Sequence, residues 1–381
     1  MKKLLLILLI PMIGFGQNVN IPDANFKAYL VGEPLINTNG DSEIQVSEAN
    51  AFSDTISCDN LNISDLTGIE EFTALTSLDC GIGGLISLDV SQNTALTSLG
   101  LTNNFLTNLD VSQNTALTRL EIRANQLTSL DLSGAIALTW LDCSENSLTS
   151  LDVSQNTSLT LLECYDNLLT SIDVSQNTAL TELRISENQL TTLDLSNNTA
   201  LTKVSCSYNQ ITSLDLSNNT ALTKVSCSYN QITSLDLSGT IALTELGCVK
   251  NQLTCLDISD NSSLEELYCY SNLLEQLNTQ NGNWVNGLLI QADTNNLTCV
   301  EVDNLGYANT NWATTFDSFV TFSTNCNYTN PCNTNTAIQE HTTNKELLKV
   351  TDILGRETKQ TNQPLFYIYD DGTVEKKIIT E

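Results

Sequence analysis

The chain is short of nearly everything that carries acid–base or redox chemistry. It has one histidine, His341, in 381 residues, and that residue sits in a polar stretch near the end, which removes the commonest general base. Its twelve cysteines never form a C-x-x-C pair, so the spacing of a thiol redox motif or of a structural zinc site is missing. Bases are scarce too: 15 Lys+Arg stand against 44 Asp+Glu, for a net charge of −29. Nucleic acid and anionic lipid both need a basic footprint, so neither is expected as a partner. Apolar runs are short, apart from one at the N-terminus, so no transmembrane segment is expected in the rest of the chain. Enzyme motifs are lacking as well, and no catalytic role is read. What remains is ample apolar content, 41%, enough for a packed core rather than disorder.

The two ends read as addresses. Lys2-Lys3, an apolar run from Leu4 to Phe15 and then Gly16-Gln17 have the three regions of a secretory signal, so 1–16 is read as a signal peptide. That setting makes disulfides permissible in the rest. At the other end, a linker over 333–345 precedes a small β-unit over 346–381. It is read as a strand at Leu347-Leu348-Lys349-Val350, a turn at Leu354-Gly355, a strand at Phe366–Tyr369, an Asp371-Gly372 turn and a strand from Val374 to Ile379. The words LLKVTDILGRETK and PLFYIYDDGTVEKKIITE resemble the C-terminal sorting domain of the type IX secretion system of Bacteroidetes. That resemblance implies handling by the type IX secretion machinery, then release or attachment at the outer-membrane surface.

Between the ends a unit recurs every 21 residues, L-x-x-L-x-[LC]-x-x-N-x-L-T-x-L-D-[LV]-S-x-N-T-x. Its first Asn stands at Asn104, Asn125, Asn146, Asn167, Asn188, Asn209, Asn230, Asn251 and Asn272, with Gly83 one unit earlier. No such unit can bury its apolar side alone, so the pattern predicts a stacked solenoid. Residues 193–213 and 214–234 are identical, as suits a modular rod. The core words LTSLGLTNNFL and LTRLEIRANQL resemble leucine-rich repeats of the 21-residue, internalin-like class. The resemblance implies a β-rich right-handed solenoid over 56–300, of about eleven weakly curved coils with two short strands each. An N-terminal cap over 17–55 and a C-terminal cap over 301–332 would close it. With strands on both sides, coils stack at about 4.8 Å, for a rod of about 50 Å.

Period-two alternation then assigns faces. Around Leu120 and Ile122 the inward slot holds cysteine at Cys58, Cys80, Cys143, Cys164, Cys206, Cys227, Cys248 and Cys269, trading places with Leu and Ile. This predicts a ladder of buried, unreactive thiols. Of the remaining four cysteines, Cys299–Cys326 is the expected disulfide, clamping a cap in which Trp312, Phe316, Phe319 and Phe322 cover the open end. A second file, Asp89 to Asp257 at steps of 21, points outward; its carboxylates either close their own Asx turns or bridge coils through calcium. A calcium site is also conceivable before the repeats, where Asn37, Asn39, Asp41 and Glu48 occupy positions 1, 3, 5 and 12 of an EF-hand-like loop whose sixth position is Ser42 rather than Gly.

Outward positions of the first strand vary freely. Arg119, Arg123, Trp140, Tyr165, Arg184, Tyr268 and Tyr270 lie there, and Tyr208 and Tyr229 just beyond it. Such residues are the usual anchors of binding surfaces. The expected function is therefore non-catalytic binding or adhesion to a protein or glycan by a secreted or surface protein; a spacer without a specific ligand is the other reading.

Overall fold

The computed structural model describes residues 17–328, Cys332 and the backbone of three strands, Leu347–Thr351, Pro364–Tyr369 and Val374–Ile378. The expected signal peptide 1–16, His341, the expected linker 333–345 and the expected turns at Leu354-Gly355 and Asp371-Gly372 lie outside the described residues. The chain divides into two compact units, with the boundary between Cys332 and Asn333.

The first unit opens with two helices, α1 (Ala24–Gly32) and α2 (Val46–Ala51). Asp23 starts α1 by accepting the backbone N–H groups of Asn25 and Phe26 at 2.9 and 3.0 Å, which relieves two orphan donors of the first turn. Phe26 and Leu30 are then fully buried. Tyr29, on the same side, accepts the Ser57 N–H with its hydroxyl at 3.0 Å and so covers the edge of the first repeat strand. Gln45 and Glu48 form a capping box on α2.

The repeats build a parallel β-solenoid. Its long sheet has twelve strands, running in chain order from Thr55–Ser57 to Leu289–Gln291, against about eleven coils expected. The register repeats at 21 residues through most of its length, as Leu99↔Leu120, Leu120↔Leu141 and Leu141↔Leu162. The two-residue insertion before the last rung is absorbed without loss of pairing, Leu267↔Ile290.

The second strand expected in every coil is intermittent. It pairs as Leu214–Asp215 with Leu235–Asp236, and as a four-stranded sheet from Cys255–Asp257 to Thr321–Ser323. Earlier it is reduced to isolated bridges, Asp89↔Asp110↔Asp131. Regular pairing on this side coincides with the C-terminal clamp. There Thr321–Ser323 adds a further parallel strand, and two disulfides tie the last segment down: Cys299–Cys326 and Cys255–Cys332, with Cα separations of 5.9 and 5.5 Å.

Inside, Leu, Ile and Val share the core with the eight free cysteines, all buried. Burial disfavours the thiolate, and the Cys227 thiol is pushed up to about 12; Cys206 and Cys248 are raised well above their usual range for the same reason. At the C-terminal end a helix α3 (Leu305–Asn311) leads into the cap. Trp312 is 3% exposed and donates from its indole to the Leu288 carbonyl at 2.9 Å, while Phe316 and Phe322 meet edge-on with centroids 5.3 Å apart. Phe319, expected in that cluster, is 62% exposed; Val320 packs on the core in its stead, beside the expected Phe322. The second unit is an antiparallel three-stranded meander, with Val350 opposite Tyr367 and Phe366 opposite Lys376.

Candidate binding face

Every rung of the long sheet turns its central residue inward and the flanking two outward. In Arg119–Glu121 the middle Leu120 is fully buried and its neighbours are half-buried. Just past each strand the chain passes through one left-handed residue, with φ between +51° and +60° from Asn60 through Tyr208, Tyr229 and Lys250 to Thr294. From Asn103 on, that residue turns the chain so that the next one, the ladder Asn, points inward. The two outward columns and the left-handed column together make one continuous face.

The predicted residues on this face are brought into contact in groups. The Arg119 guanidinium lies 3.8 Å from the centroid of the Trp140 ring and is ion-paired with Glu121. The indole N–H of Trp140 is buried and finds no acceptor. Arg123 binds Glu145 through Nε at 2.9 Å and lies 5.7 Å from the Tyr165 ring. Arg184 joins Glu163 at 3.0 Å and Glu182 at 2.7 Å. Tyr208 and Tyr229, one from each of the identical units, stack with centroids 4.2 Å apart and 15° between planes. Lys250 closes that stack, its ammonium 4.6 Å from the Tyr229 ring. Tyr268 donates its hydroxyl to Glu266 at 2.8 Å, and Tyr270 is half-buried on the adjoining column.

The bases gathered here are thus largely committed within the face. Lys224 adds a pair with Glu245 at 2.6 Å; among the described residues Lys203 alone on this face has neither an acidic partner at ion-pair distance nor a ring contact. Exposed pairs like these add little stability. They do fix side chains in place and cancel local charge. Glu163 is the most enclosed acid of the group, and burial, helped by Asp142, pushes its carboxyl up against the opposing pull of Arg184.

The other predicted sites resolve differently. All nine carboxylates from Asp89 to Asp257 accept the backbone N–H of the serine two residues on, at 2.8–2.9 Å. Each closes its own turn. The calcium-like loop does not converge its oxygens. The Asn37 side chain donates to Val31 and Asp41 carbonyls, Asp41 accepts from Glu43 and Gln45, and Glu48 is taken by Thr38, Asn39 and Gln45. These residues do not fit a calcium ion, because the carboxylate meant for the twelfth position is the N3 acceptor of α2's capping box. Among the described residues no group of three His, Cys, Asp or Glu side chains is placed to hold a metal.

Spacing did not reveal a second inward asparagine file, Asn93, Asn114, Asn156, Asn177, Asn198, Asn219 and Asn261, all 0–1% exposed. Its signal was present in the second Asn of the repeat word.

Comparisons with known proteins agree with this geometry. A family profile described as the endo-beta-N-acetylglucosaminidase EndoS LRR domain matches residues 42–166, one for leucine-rich repeats in two copies matches 199–239, and an LVIVD repeat matches 247–271. No curated protein matches the chain in sequence. Among solved structures, the functional domain of InlJ from Listeria monocytogenes, described as including a cysteine ladder, is 37% identical over 75% of this chain and 67% of its own, with a TM-score of 0.67. An internalin (inlF) from Listeria monocytogenes str. 4b F2365 is 20% identical over 75% of this chain and 94% of its own, with a TM-score of 0.57. The LRR protein LIC12759 of Leptospira interrogans is 21% identical over 69% and 81%, with a TM-score of 0.52; these last two share the fold.

Proposed function

The chain belongs to the leucine-rich-repeat family in its internalin-like, cysteine-ladder form, and from that premise we propose that it is a secreted or surface-held protein that binds a protein or glycan, without catalysis, through the outward face of the long sheet. The observation that carries this is the pre-set aromatic and arginine groups, above all the Tyr208–Tyr229 stack closed by Lys250. They lie outside the core yet are held in fixed positions on a rigid sheet. Ordering such side chains before binding lowers the entropy lost on association. The charge cancellation within the face favours neutral or mixed partners over polyanions.

Export follows from the two ends: residues 1–16 act as a signal peptide and 346–381 as a type IX sorting domain, removed or retained at the outer surface. The reading as a spacer is favoured by one observation, the identity of units 193–213 and 214–234, since a tuned site rarely tolerates a copied coil. Protein and glycan arrays probed with the mature chain separate the two. Alanine at Trp140, Tyr165, Tyr268 and Tyr270 should weaken a specific ligand by about tenfold or more for each anchor. Undiminished binding by all four variants would sink the face as the binding site.

A further inference from the structure

One coil departs from the rest of the repeat. Residues 80–86 read CGIGGLI, with Gly83 in the place of the ladder Asn. Ile82 occupies the left-handed column at φ +51°, where only Thr294 is also β-branched, and a β-branched side chain is the least comfortable occupant of that conformation. Burial does not explain it, because Ile82 is 56% exposed. Ile86 is 67% exposed in a column where the next eight coils, Thr107 to Thr254, all hold threonine. Leu61 in the coil before and Phe105 in the coil after are 40% and 53% exposed. Backbone bonds hold the three coils together: Asn60 N–H to the Gly81 carbonyl at 3.0 Å, and Phe105 N–H to the Leu85 carbonyl at 2.8 Å. Four large apolar side chains therefore gather where the fold needs none of them.

Beside this patch stand two carboxyls. Asp59 accepts the Gly81 N–H. Asp79 lies over Gly100, where a Cβ would come within 2.6 Å of its Oδ1, so the glycine makes room for it. Burial and the neighbouring Asp59 both push the Asp79 carboxyl up. Arg119, whose charge opposes that rise, is committed to Glu121 and Trp140.

We propose that these three coils form a docking point for a protein segment that presents a lysine or arginine beside bulky aliphatic or aromatic side chains. Charge complementarity selects this occupant: the carboxyl pair has no committed cation, and the patch beside it is apolar. A second copy of this chain, at −29, would bring mostly acids. The proposal rests on the reading of the protein as a macromolecule binder, but it uses none of the residues between Arg119 and Tyr270.

The test is titration of the mature chain with short synthetic peptides in which arginine alternates with leucine or phenylalanine. Sister peptides carry glutamate for arginine, or serine for the apolar residues. The parent peptides should bind at least about tenfold tighter than either sister. A variant carrying Ile82→Asn, Ile86→Thr and Phe105→Gln, residues that Asn103, Thr107 and Gln126 already supply to the same columns, should keep its circular dichroism and lose that binding. Asp79→Asn should erase the preference for arginine over glutamate while keeping the dependence on apolar residues. Equal binding of the glutamate peptides, unchanged affinity of the triple variant, or no peptide binding at all would overturn the proposal. Trp140→Ala should leave peptide binding intact; if it abolished that binding, the peptides would be using the central face, and the docking point would fail while the function proposed for that face would stand.

Discussion

Two files of asparagine run the length of the solenoid, and they are not equivalent. In the file that includes Asn188, the side chain is saturated. Its amide donates to the carbonyls of Cys164, Ile185 and Ser186 at 3.0–3.2 Å, and its oxygen accepts the Leu169 N–H at 3.0 Å. In the file that includes Asn177, the amide donates to the carbonyls of Val153 and Asn156, both at 2.9 Å, while the oxygen is buried with no donor. Those two carbonyls already accept backbone N–H groups, from Asn156 and Leu159. The first file gives a buried backbone N–H, that of Leu169, its partner, whereas the carbonyls it reaches, like those of the second file, are also met by other donors. The sequence shows the outcome. Within its run of 21-residue steps, the first file is never replaced after Gly83, whereas the second yields to Ala135 and Thr240.

The sharpest way to break this contrast is to delete one member of each file. Asn188→Ala should cost about 2–4 kcal/mol in denaturant unfolding, because it orphans the buried N–H of Leu169. Asn177→Ala should cost roughly 1 kcal/mol, and equal losses would erase the distinction. Cys206→Ser falls between, at about 1–3 kcal/mol, since it buries a hydroxyl in an apolar slot; a cost above that of Asn188→Ala would shift the source of stability from amides to thiol packing. A finer test uses Gly134 and Gly239, which precede the two replacements. A Cβ on either would fall 2.2 or 1.9 Å from a serine carbonyl oxygen of the preceding coil, so coils without the Asn close tightly. Gln176→Gly combined with Asn177→Ala should therefore be less destabilised than Asn177→Ala alone, a non-additive result expected only for neighbours.

The smallest effect concerns pH, to which neither asparagine file responds. Hydrogen bonds from serine lower the carboxyl pKa at Asp89, Asp110, Asp131, Asp152 and Asp194. A group lowered on folding contributes stability above its unfolded value, about 4, and loses it as pH falls through the folded value. Asp79 and Glu163, both raised, work in the opposite sense. Melting temperature should decline gently below about pH 4, and Asp152→Asn should flatten that decline slightly. A melting temperature that rose on acidification would mean that repulsion along the file outweighs its turns.

Much of this is legible in the sequence, because the repeat writes the same instruction many times. Period and alternation located the inward Leu and Cys, the outward Asp file and the first Asn ladder. Interchange of Cys with Leu101, Ile122 and Ile185 already marked the thiols as core. What stayed hidden depends on neighbours in space. The strip's arginines were visible as bases, but their pairing with acids, some on the same rung and some one coil away, was not. Cys299–Cys326 was expected, whereas Cys255–Cys332 spans 77 residues and leaves no mark in spacing. The intermittent second strand escaped because every coil spells it alike, whereas its longest run of pairing, Cys255–Asp257 to Thr321–Ser323, lies at the clamped end. Ile82 and Ile86 were detectable, by reading down a column rather than along a coil.

The constant register of the long sheet also has a consequence for inheritance. Since each rung bonds the rung 21 residues away through the same atoms, unequal exchange between misaligned gene copies yields a chain in which every new junction is already a known one. Insertion or deletion of 63 nucleotides, the coding length of one unit, then changes reach by one strand spacing, about 4.8 Å. The two identical units carrying Tyr208 and Tyr229 look like such an event, and its product was the stacked pair. Duplication of a scaffold unit can in this way create a surface feature in a single generation, before any point substitution has occurred.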